Sequence, residues 1–302
     1  NLDNKSKQHV FIQSGDMVRG GRQDRTLKYD VIVEPKEKDL PIASFCVEQG
    51  RWSGRGNEAV ANFSISNKKL SNRSLNLAAK KESNQSMVWS EVKKAQGKLD
   101  RKVKAYYKTD SVTAIDRNSA TSFQLSLQNG LVEELIKEYK DSITSQLPTE
   151  NVLGLAFAIN GQVVGFEMYN NRELYSDLRI KILDASITEA IEEFDSTLTF
   201  DVVTTKKTGD LLQYSRDSID HTETKSVNDA TSFTFAELDS MNYFTTTDRR
   251  EGNWLHYSLI VGQATASTTT PGDRFFEGNN YPEGAEAVEE VEDAIDVIEE
   301  EK

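Results

Sequence analysis

Residues 153–169 read Leu-Gly-Leu-Ala-Phe-Ala-Ile-Asn-Gly-Gln-Val-Val-Gly-Phe-Glu-Met-Tyr, and this stretch decides the fold class. Two apolar runs flank Asn160-Gly161, a dipeptide that favours the tight turn of a β-hairpin. Residues 174–194 follow, and their apolar side chains recur at the spacing of one helix face. Together with the other elements, this hairpin and helix predict an α+β protein with a mixed or antiparallel sheet.

A second amphipathic helix is predicted at Leu131–Ile143, where Leu131, Leu135, Ile136 and Tyr139 fall on one stripe. These two helices are the main ones expected, and a helical pattern also spans residues 67–96, with Leu70, Leu75, Leu77, Val88, Trp89 and Val92 inward. Further strands are predicted from apolar or alternating runs at Thr26–Glu34, Pro41–Val47, Phe123–Leu127, Thr197–Thr204, Thr231–Phe235 and Trp254–Val261.

The pattern divides the chain into three parts. Residues 1–194 form an α+β domain, residues 195–262 a smaller β-rich section, and residues 263–302 a linker and an acidic tail. The linker, Gln263–Pro282, is predicted from its richness in threonine, glycine and asparagine.

The charge of the chain is concentrated in its tail. The formal net charge is −13, but residues 283–302 hold ten acids and one lysine, so −9 belongs to the tail and −4 to residues 1–282. An acidic chain is not expected to bind nucleic acid, which needs a basic surface. The tail is either a solvated extension or a short amphipathic helix that contacts this protein or a protein partner, because Ala287, Val291, Ala294 and Ile298 recur at 4-3-4 spacing.

The cysteine count and the first residues bear on the compartment. The single cysteine, Cys46, excludes an intramolecular disulfide, and no run of 18 apolar residues predicts a transmembrane segment. Residues 1–8 lack the basic and apolar regions of a signal peptide. The frequent serine, threonine and asparagine are typical of secreted proteins, so an extracytoplasmic location, periplasmic or at the cell surface, is expected, with the cytoplasm as the alternative.

An arginine- and glycine-rich segment, residues 19–25, is the first candidate ligand site. Glycine permits close backbone approach, and guanidinium groups bind phosphate or carboxylate through paired hydrogen bonds. The alternative is a turn whose arginines pair with nearby carboxylates, those of Asp16, Asp24 and Glu48. The candidate ligand-binding residues of this segment are Arg19, Gly20, Gly21, Arg22 and Arg25.

The second candidate is the run from Cys46 to Trp52, which reads as a strand entering a loop. Glu48 could act as a general base, Arg51 could hold an anionic substrate, and Trp52 could stack on a base or sugar. The alternative is a buried Glu48–Arg51 pair that orders the end of the strand, with Trp52 in the core.

Two helix residues, Gln85 and Trp89, lie four positions apart and share a face, so they could complete a pocket; alternatively, Trp89 is part of the core. Cys46 as a nucleophile would need a neighbouring base, and none of the three histidines is paired with it in sequence. One cysteine and three scattered histidines lack the spacing of a zinc site. No metal and no cofactor are expected.

Several motifs together resemble one family. In chain order, they are Gly15-Asp16, residues 20–25, Cys46-Val47-Glu48-Gln49-Gly50-Arg51-Trp52, Asn84-Gln85-Ser86 with Val88-Trp89 and Val92, and Phe157-Ala158-Ile159-Asn160-Gly161 with Val164-Gly165. They resemble the ADP-ribosylglycohydrolase and rhodanese-phosphatase-superfamily-associated protein domain over about residues 1–194. Members of that family usually carry a further segment ahead of the stretch that corresponds to residues 10–15, so the chain is expected to start inside the family domain. The name implies genomic association with ADP-ribose-related genes and implies no reaction.

Two functions follow as expectations. The first is a non-catalytic binding or scaffold module in a larger protein assembly, with a protein partner that could bind through residues 283–302. The second is a hydrolase or binder of an ADP-ribose-like or other phosphorylated ligand, with Glu48, Arg51 and residues 19–25 as its site. Whether the protein is an enzyme is left open by the sequence.

Overall fold

The computed structural model describes residues 1–56, 58, 60–148, 150–218, 222–262 and 295–296. The first part of the chain is built from short strands in small antiparallel sheets. A four-stranded sheet has the order β6-β4-β3-β7, and β2 pairs with β5. The strands are β1 (Leu2–Asp3), β2 (Val10–Ile12), β3 (Asp16–Gly20), β4 (Arg25–Leu27), β5 (Val31–Val33), β6 (Ser44–Cys46) and β7 (Phe63–Lys69).

The strand predicted at Thr26–Glu34 is in fact two strands, β4 and β5, separated by Lys28–Asp30. The interruption has a polar cause, because the carboxylate of Asp30 accepts the backbone N–H of Ser14 at 2.6 Å and is buried. A buried carboxylate needs such partners, and a continuous ladder would not supply them. The prediction at Pro41–Val47 overlaps the shorter β6, while β7 was not predicted.

Six helices are formed by the described residues. They are α1 (Arg73–Lys80), α2 (Gln85–Tyr107), α3 (Phe123–Leu127), α4 (Gly130–Thr144), α5 (Arg172–Glu193) and α6 (Thr205–Ser218). The first five begin after an asparagine or serine whose side-chain oxygen accepts a backbone N–H of the first turn, which satisfies one of the donors that helix starts leave free.

The two main predicted helices are confirmed as α4 and α5. Most residues of their apolar stripes are buried as expected, but Leu131 and Leu178 are only partly buried and Tyr139 is 37% exposed. The strand predicted at Phe123–Leu127 is wrong, because these residues form α3. The hydroxyl of Ser122 accepts the N–H of Leu125 and starts a helix, and Phe123 and Leu127 then both face the core, four residues apart.

The second large sheet has six antiparallel strands in the order β10-β11-β12-β13-β9-β8. Its strands are β8 (Gly154–Ile159), β9 (Gln162–Tyr169), β10 (Glu223–Ser226), β11 (Thr231–Leu238), β12 (Met241–Asp248) and β13 (Asn253–Val261). The hairpin about Asn160-Gly161 is confirmed, and both turn residues have positive φ, 50° and 75°. The α+β class with antiparallel sheets is therefore confirmed.

This sheet joins strands from both sides of residue 194, because β9 of the hairpin pairs with β13. The division between residues 1–194 and 195–262 stays a prediction. The strand predicted at Thr197–Thr204 is wrong, since these residues lie in a loop before α6. Its alternating apolar side chains have no sheet to pack against, and Leu198, Phe200 and Val202 are exposed.

Two apolar cores flank the first sheet region. The larger one lies among α1 to α5 and contains Leu75, Val88, Leu99, Phe123 and Val132. The other lies between the N-terminal strands and the six-stranded sheet and contains Tyr29, Val31, Phe233, Phe244 and Ile260. No described helix is long and apolar enough to span a bilayer.

The predicted linker and acidic tail lie outside the described residues, apart from one two-residue strand. This strand, β14 (Ile295–Asp296), pairs in parallel with β1.

The hairpin turn gives a test of the fold. Gly161 has φ +75°, and a Cβ added there would lie 2.4 Å from the Cβ of Phe200. We expect Gly161→Ala to lower the free energy of unfolding by about 1–2 kcal/mol, measured by urea denaturation, because both the backbone and the neighbour resist a methyl group. Gly130→Ala is the control, since nothing lies within 4 Å of the new Cβ. Equal stabilities of the two variants would contradict the hairpin geometry.

Candidate functional site

The predicted base, Glu48, lies completely buried beside a second carboxylate, that of Asp24. Its two oxygens are used by the protein: Oε2 accepts the backbone N–H of Asp24 at 2.9 Å, and Oε1 accepts Nε of Arg51 at 2.7 Å and the hydroxyl of Ser119. Burial alone would raise the pKa of Glu48, but these hydrogen bonds hold it below its ordinary value.

Asp24 completes this cluster. Its carboxylate receives both terminal nitrogens of Arg55, at 2.9 and 3.2 Å, and the hydroxyl of Ser122 at 2.7 Å. Arg51 and Arg55 come from the irregular loop that follows β6, and both side chains are only 9% exposed. The cluster, Asp24, Glu48, Arg51 and Arg55, therefore has the geometry of the predicted structural alternative, a buried ion-pair network.

The arginines of residues 19–25 do not converge on this cluster. Arg19 pairs with Glu58 at 3.3 Å, Arg22 is exposed, and Arg25 stacks over the ring of Phe63. The alternative pairing with Asp16, Asp24 and Glu48 is wrong. The partners of Asp24 and Glu48 are Arg51 and Arg55, and Asp16 pairs with Lys181 at 2.6 Å. The ligand-binding role of residues 19–25 stays a prediction.

The backbone of Gly20 and Gly21 turns its carbonyl groups toward Arg51, which donates to both at 3.2 and 3.0 Å. Their N–H groups donate to Asp24 and to the carbonyl of Asn62. An anion cradle needs free N–H groups, so this backbone is arranged to hold a guanidinium.

The remaining predicted site residues are dispersed. Trp52 is 63% exposed, which excludes the core position. Gln85 pairs its side-chain amide with the backbone N–H and carbonyl of Cys46, at 2.9 and 2.8 Å. Trp89 is half-buried. Burial raises the pKa of the Cys46 thiol, which disfavours the nucleophilic thiolate.

A cleft that the sequence did not predict has the geometry of a binding site. It has a volume of about 280 Å³ and lies where the start of α1, the middle of α2, the end of α5 and the end of β13 meet. Its polar and charged lining residues are Asn72, Arg73, Ser74, Glu91, Lys94, Lys98, Glu189 and Glu193.

Three ion pairs line this cleft. Arg73 Nε lies 2.7 Å from Glu189 Oε1, Lys94 Nζ lies 2.6 Å from Glu91 Oε1, and Lys98 pairs with Glu193. Arg73 also donates to the carbonyl of Val261 at 3.0 Å. The cleft therefore presents cations and carboxylates side by side.

Burial raises the pKa of two carboxyl groups near the cleft. Burial raises the pKa of Glu192 to about 8, and its hydrogen-bond partners are neutral, the amide of Asn72 at 2.9 Å and the hydroxyl of Ser71 at 3.4 Å. Burial also raises the pKa of Glu189, although Arg73 opposes the shift. Perturbed groups of this kind concentrate at functional sites.

A smaller cavity of about 40 Å³ adjoins the cleft, and Arg73 and Glu189 line both. Lys69 and Glu167 line its other side. Burial lowers the pKa of Lys69 to about 8. This cavity, the inner chamber, lies between the cleft and a buried polar centre to which Glu167 belongs.

The polar centre is a chain of three charged side chains. His256 Nδ1 lies 2.6 Å from Asp30, and its Nε2 contacts Glu167. Burial alone would lower the pKa of His256, but the two carboxylates outweigh burial and raise it. The ring of Tyr169 stacks on the imidazole with 4.5 Å between ring centres. In the described part of the chain, no group of His, Cys, Asp and Glu is placed to hold a metal ion.

A comparison with protein-family models matches residues 1–260 to ARPP-1, the ARG and Rhodanese-Phosphatase-superfamily-associated Protein domain. The chain belongs to this family. The predicted resemblance is confirmed, but its extent to about residue 194 is too short, since the ARPP-1 match includes the strands β10 to β13. Searches of curated proteins and of solved structures found no match.

The sequence pattern indicates some of the residues that line the cleft of this ARPP-1 domain. The buried stripe of α5 continues from Ile182 and Ala185 to Glu189 and Glu192 at 3-4-3 spacing, so the helix pattern itself places two glutamates on the inward face. On α2, Glu91, Lys94 and Lys98 repeat at the same face spacing. Nothing local relates α1, α2, α5 and β13 to one another, so the cleft itself required the structure.

The buried network makes a prediction for Glu48. We expect Glu48→Gln to lower the free energy of unfolding by about 3 kcal/mol, because it removes the buried carboxylate that pairs with Nε of Arg51 and leaves Asp24 as the one buried carboxylate facing two guanidinium groups. Glu58→Gln, which removes a carboxylate from the edge of the same network, should cost less than about 1 kcal/mol. Urea denaturation of both variants tests this, and a Glu48→Gln variant as stable as the wild type would contradict the structural role.

The polar centre predicts a pH-dependent stability. Because the pKa of His256 is raised above 6.5 in the folded state, its charge stabilises the fold fully below pH 6.5, and this contribution is lost as the pH rises through the raised pKa. We expect the destabilisation by His256→Gln to be largest below pH 6.5 and to shrink at higher pH. Urea denaturation across pH 5.5–9 measures it as the difference from the wild type. The exposed His9, replaced by Gln, serves as control, and a pH-independent difference for His256→Gln would refute the assignment.

Proposed function

We propose that this ARPP-1 domain is a non-catalytic binding module that holds a small phosphorylated ligand in the cleft between α1, α2 and α5. One observation carries the proposal: three cation–carboxylate pairs line a single cavity of about 280 Å³. Ligand sites combine a concave cavity with a few convergent polar groups and perturbed pKa values.

The chemistry of the lining supports a phosphorylated sugar as the ligand class. Guanidinium and ammonium groups bind phosphate oxygens, and carboxylates accept hydrogen bonds from hydroxyl groups. Arg73, Lys94 and Lys98 supply the first kind of group, and Glu91, Glu189 and Glu193 the second. A ligand that carries phosphate and hydroxyl groups together would use both.

The volume of the cleft further limits the size of the ligand. Pockets for drug-sized molecules span about 300–1,000 Å³, so a cleft of about 280 Å³ suits a sugar phosphate. For an ADP-ribose-like ligand, one ribose phosphate unit would occupy the cleft and the rest would extend outside it.

A hydrolase is the second candidate function, favoured by Glu189. This carboxyl group lines both the cleft and the inner chamber, and burial raises its pKa, as general acids require. In this version of the proposal, Glu189 replaces Glu48 as the acid–base residue.

A protein partner also belongs to the proposal. The loop after α5 exposes Leu198, Phe200 and Val202, and clustered exposed apolar side chains mark interaction surfaces. Binding through residues 283–302 and an extracytoplasmic location are further parts of the proposal that rest on the sequence alone.

Isothermal titration of the full chain with ribose 5-phosphate tests the ligand. We expect binding that is lost with unphosphorylated ribose and weakened at least tenfold by Arg73→Gln, because the half-buried guanidinium borders the cleft. Arg172→Gln, an exposed arginine at the other end of α5, is the control of equal charge. Thermal melting of both variants checks that they are folded.

Three outcomes would change the proposal. A loss of binding in Arg22→Gln and not in Arg73→Gln would show that the ligand binds at residues 19–25 and not in the cleft. Hydrolysis of the pyrophosphate bond of ADP-ribose to AMP and ribose 5-phosphate by the wild type, abolished in Glu189→Gln, would favour the hydrolase. Absence of binding at millimolar ligand would refute the small-ligand proposal.

A further inference from the structure

Glu189 occupies the place in the cleft where an anion would bind. Its Oε1 accepts Nε of Arg73 at 2.7 Å and the backbone N–H of Arg73 at 3.2 Å, so the carboxylate covers the start of α1. Helix starts attract anions through their free N–H groups and their dipole. The carboxylate of Glu189 therefore takes the position of a bound anion, and the residue is 5% exposed.

The groups around Glu189 come from five elements. On α5 itself, Glu192 and Glu193 lie within one turn, and Glu193 pairs with Lys98 of α2. The cation that contacts Glu189 directly is Arg73 of α1. From the inner chamber, Lys69 of β7 and Glu167 of β9 line the same cavity. The charge on Glu189 is thus balanced mainly by one guanidinium.

We propose that a phosphate group entering the cleft takes the Arg73 side chain from Glu189 and that Glu189 takes up one proton as this happens. The inference rests on the proposed function, because it concerns the same cleft. In this exchange, the guanidinium of Arg73 keeps its charge and turns to the ligand. A proton from solvent neutralises the carboxylate of Glu189. No bond of the ligand is broken.

The physical reason is the cost of an unpaired buried charge. A carboxylate with so little exposure is expensive to keep ionised once its cation is withdrawn, and an incoming phosphate adds a like charge. Protonation removes both costs.

Glu192 shows what happens to a carboxyl group in this environment without a cation in contact. It lies one helical turn from Glu189, is buried to a similar degree and has neutral hydrogen-bond partners. Burial raises its pKa to about 8. Glu189 without Arg73 would likewise be a buried carboxyl group with no guanidinium in contact, so withdrawal of Arg73 favours its protonated form.

The coupling gives the affinity a pH dependence. If one proton is taken up per ligand, the affinity for a fully ionised anion falls by up to tenfold for each unit of rising pH. Sulfate is the best probe, because it does not titrate in this range and any proton uptake must come from the protein. Ribose 5-phosphate is the second probe, and it is almost fully ionised at pH 7.5 since its second pKa is about 6.

The experiment is isothermal titration of the full chain at pH 7.5 in HEPES and in Tris, two buffers with different ionisation enthalpies. The difference in observed heat gives the number of protons taken up. We expect a value approaching one for the wild type and near zero for Glu189→Gln. The comparison uses sulfate, which has no hydroxyl group that could donate to Glu189. Glu91→Gln removes another carboxylate of the same cleft and should keep the proton uptake.

The outcomes separate the two proposals. Binding without proton uptake in the wild type, or uptake that persists in Glu189→Gln, would overturn the coupling and leave the proposed function intact. No binding of either probe would overturn both. The affinity of the wild type for sulfate, measured from pH 6.5 to 8.5, tests the coupling without any variant. An affinity that does not change with pH would likewise overturn the coupling.

Discussion

The arrangement of the two sheet regions depends on the buried chain Asp30–His256–Glu167. Asp30 comes from the connection between β4 and β5, while Glu167 and His256 come from neighbouring strands of the six-stranded sheet. Charged groups taken out of water are costly unless they are paired and hydrogen-bonded. Here each charge has its partner. The Thr246 hydroxyl donates to the same Asp30 oxygen that His256 contacts, and the Ser258 hydroxyl donates to the other oxygen of Glu167. The pairing specifies one relative placement of the strands.

The shape of the cleft depends on this relative placement of the strands. The strand β13 carries His256 in its middle and ends at Val261, whose carbonyl accepts a hydrogen bond from Arg73. The polar centre therefore determines where the end of β13 meets the start of α1. On the opposite side, α5 supplies Glu189 and Glu192, which bind Arg73 and Asn72 at the same helix start. Buried polar contacts position the cleft from both sides.

Features that depend on residues close together in the sequence could be predicted, and features that depend on contacts between distant residues could not. The hairpin at Asn160-Gly161 and the helices α4 and α5 follow from turn chemistry and periodicity, which are local. The residues Phe123–Leu127 alternate like a strand, and only the capping hydroxyl of Ser122 distinguishes the helix. The pair of Glu48 with Arg51 was predicted as the structural alternative, because the two residues lie three positions apart, and the structure contains this pair. The contacts of Glu48 with Ser119 and Asp24 join distant parts of the chain, and no local pattern indicates them.

The side chain of Gln85 has a consequence for association between molecules. β6 is an outer strand of the four-stranded sheet, and an outer strand offers its backbone to any other chain that can extend the ladder. The amide of Gln85 occupies the N–H and the carbonyl of Cys46 in the way that a neighbouring strand would. One glutamine at the start of α2 thus closes the end of this edge, where the backbone of Cys46 would otherwise be open to pairing with a strand of another molecule.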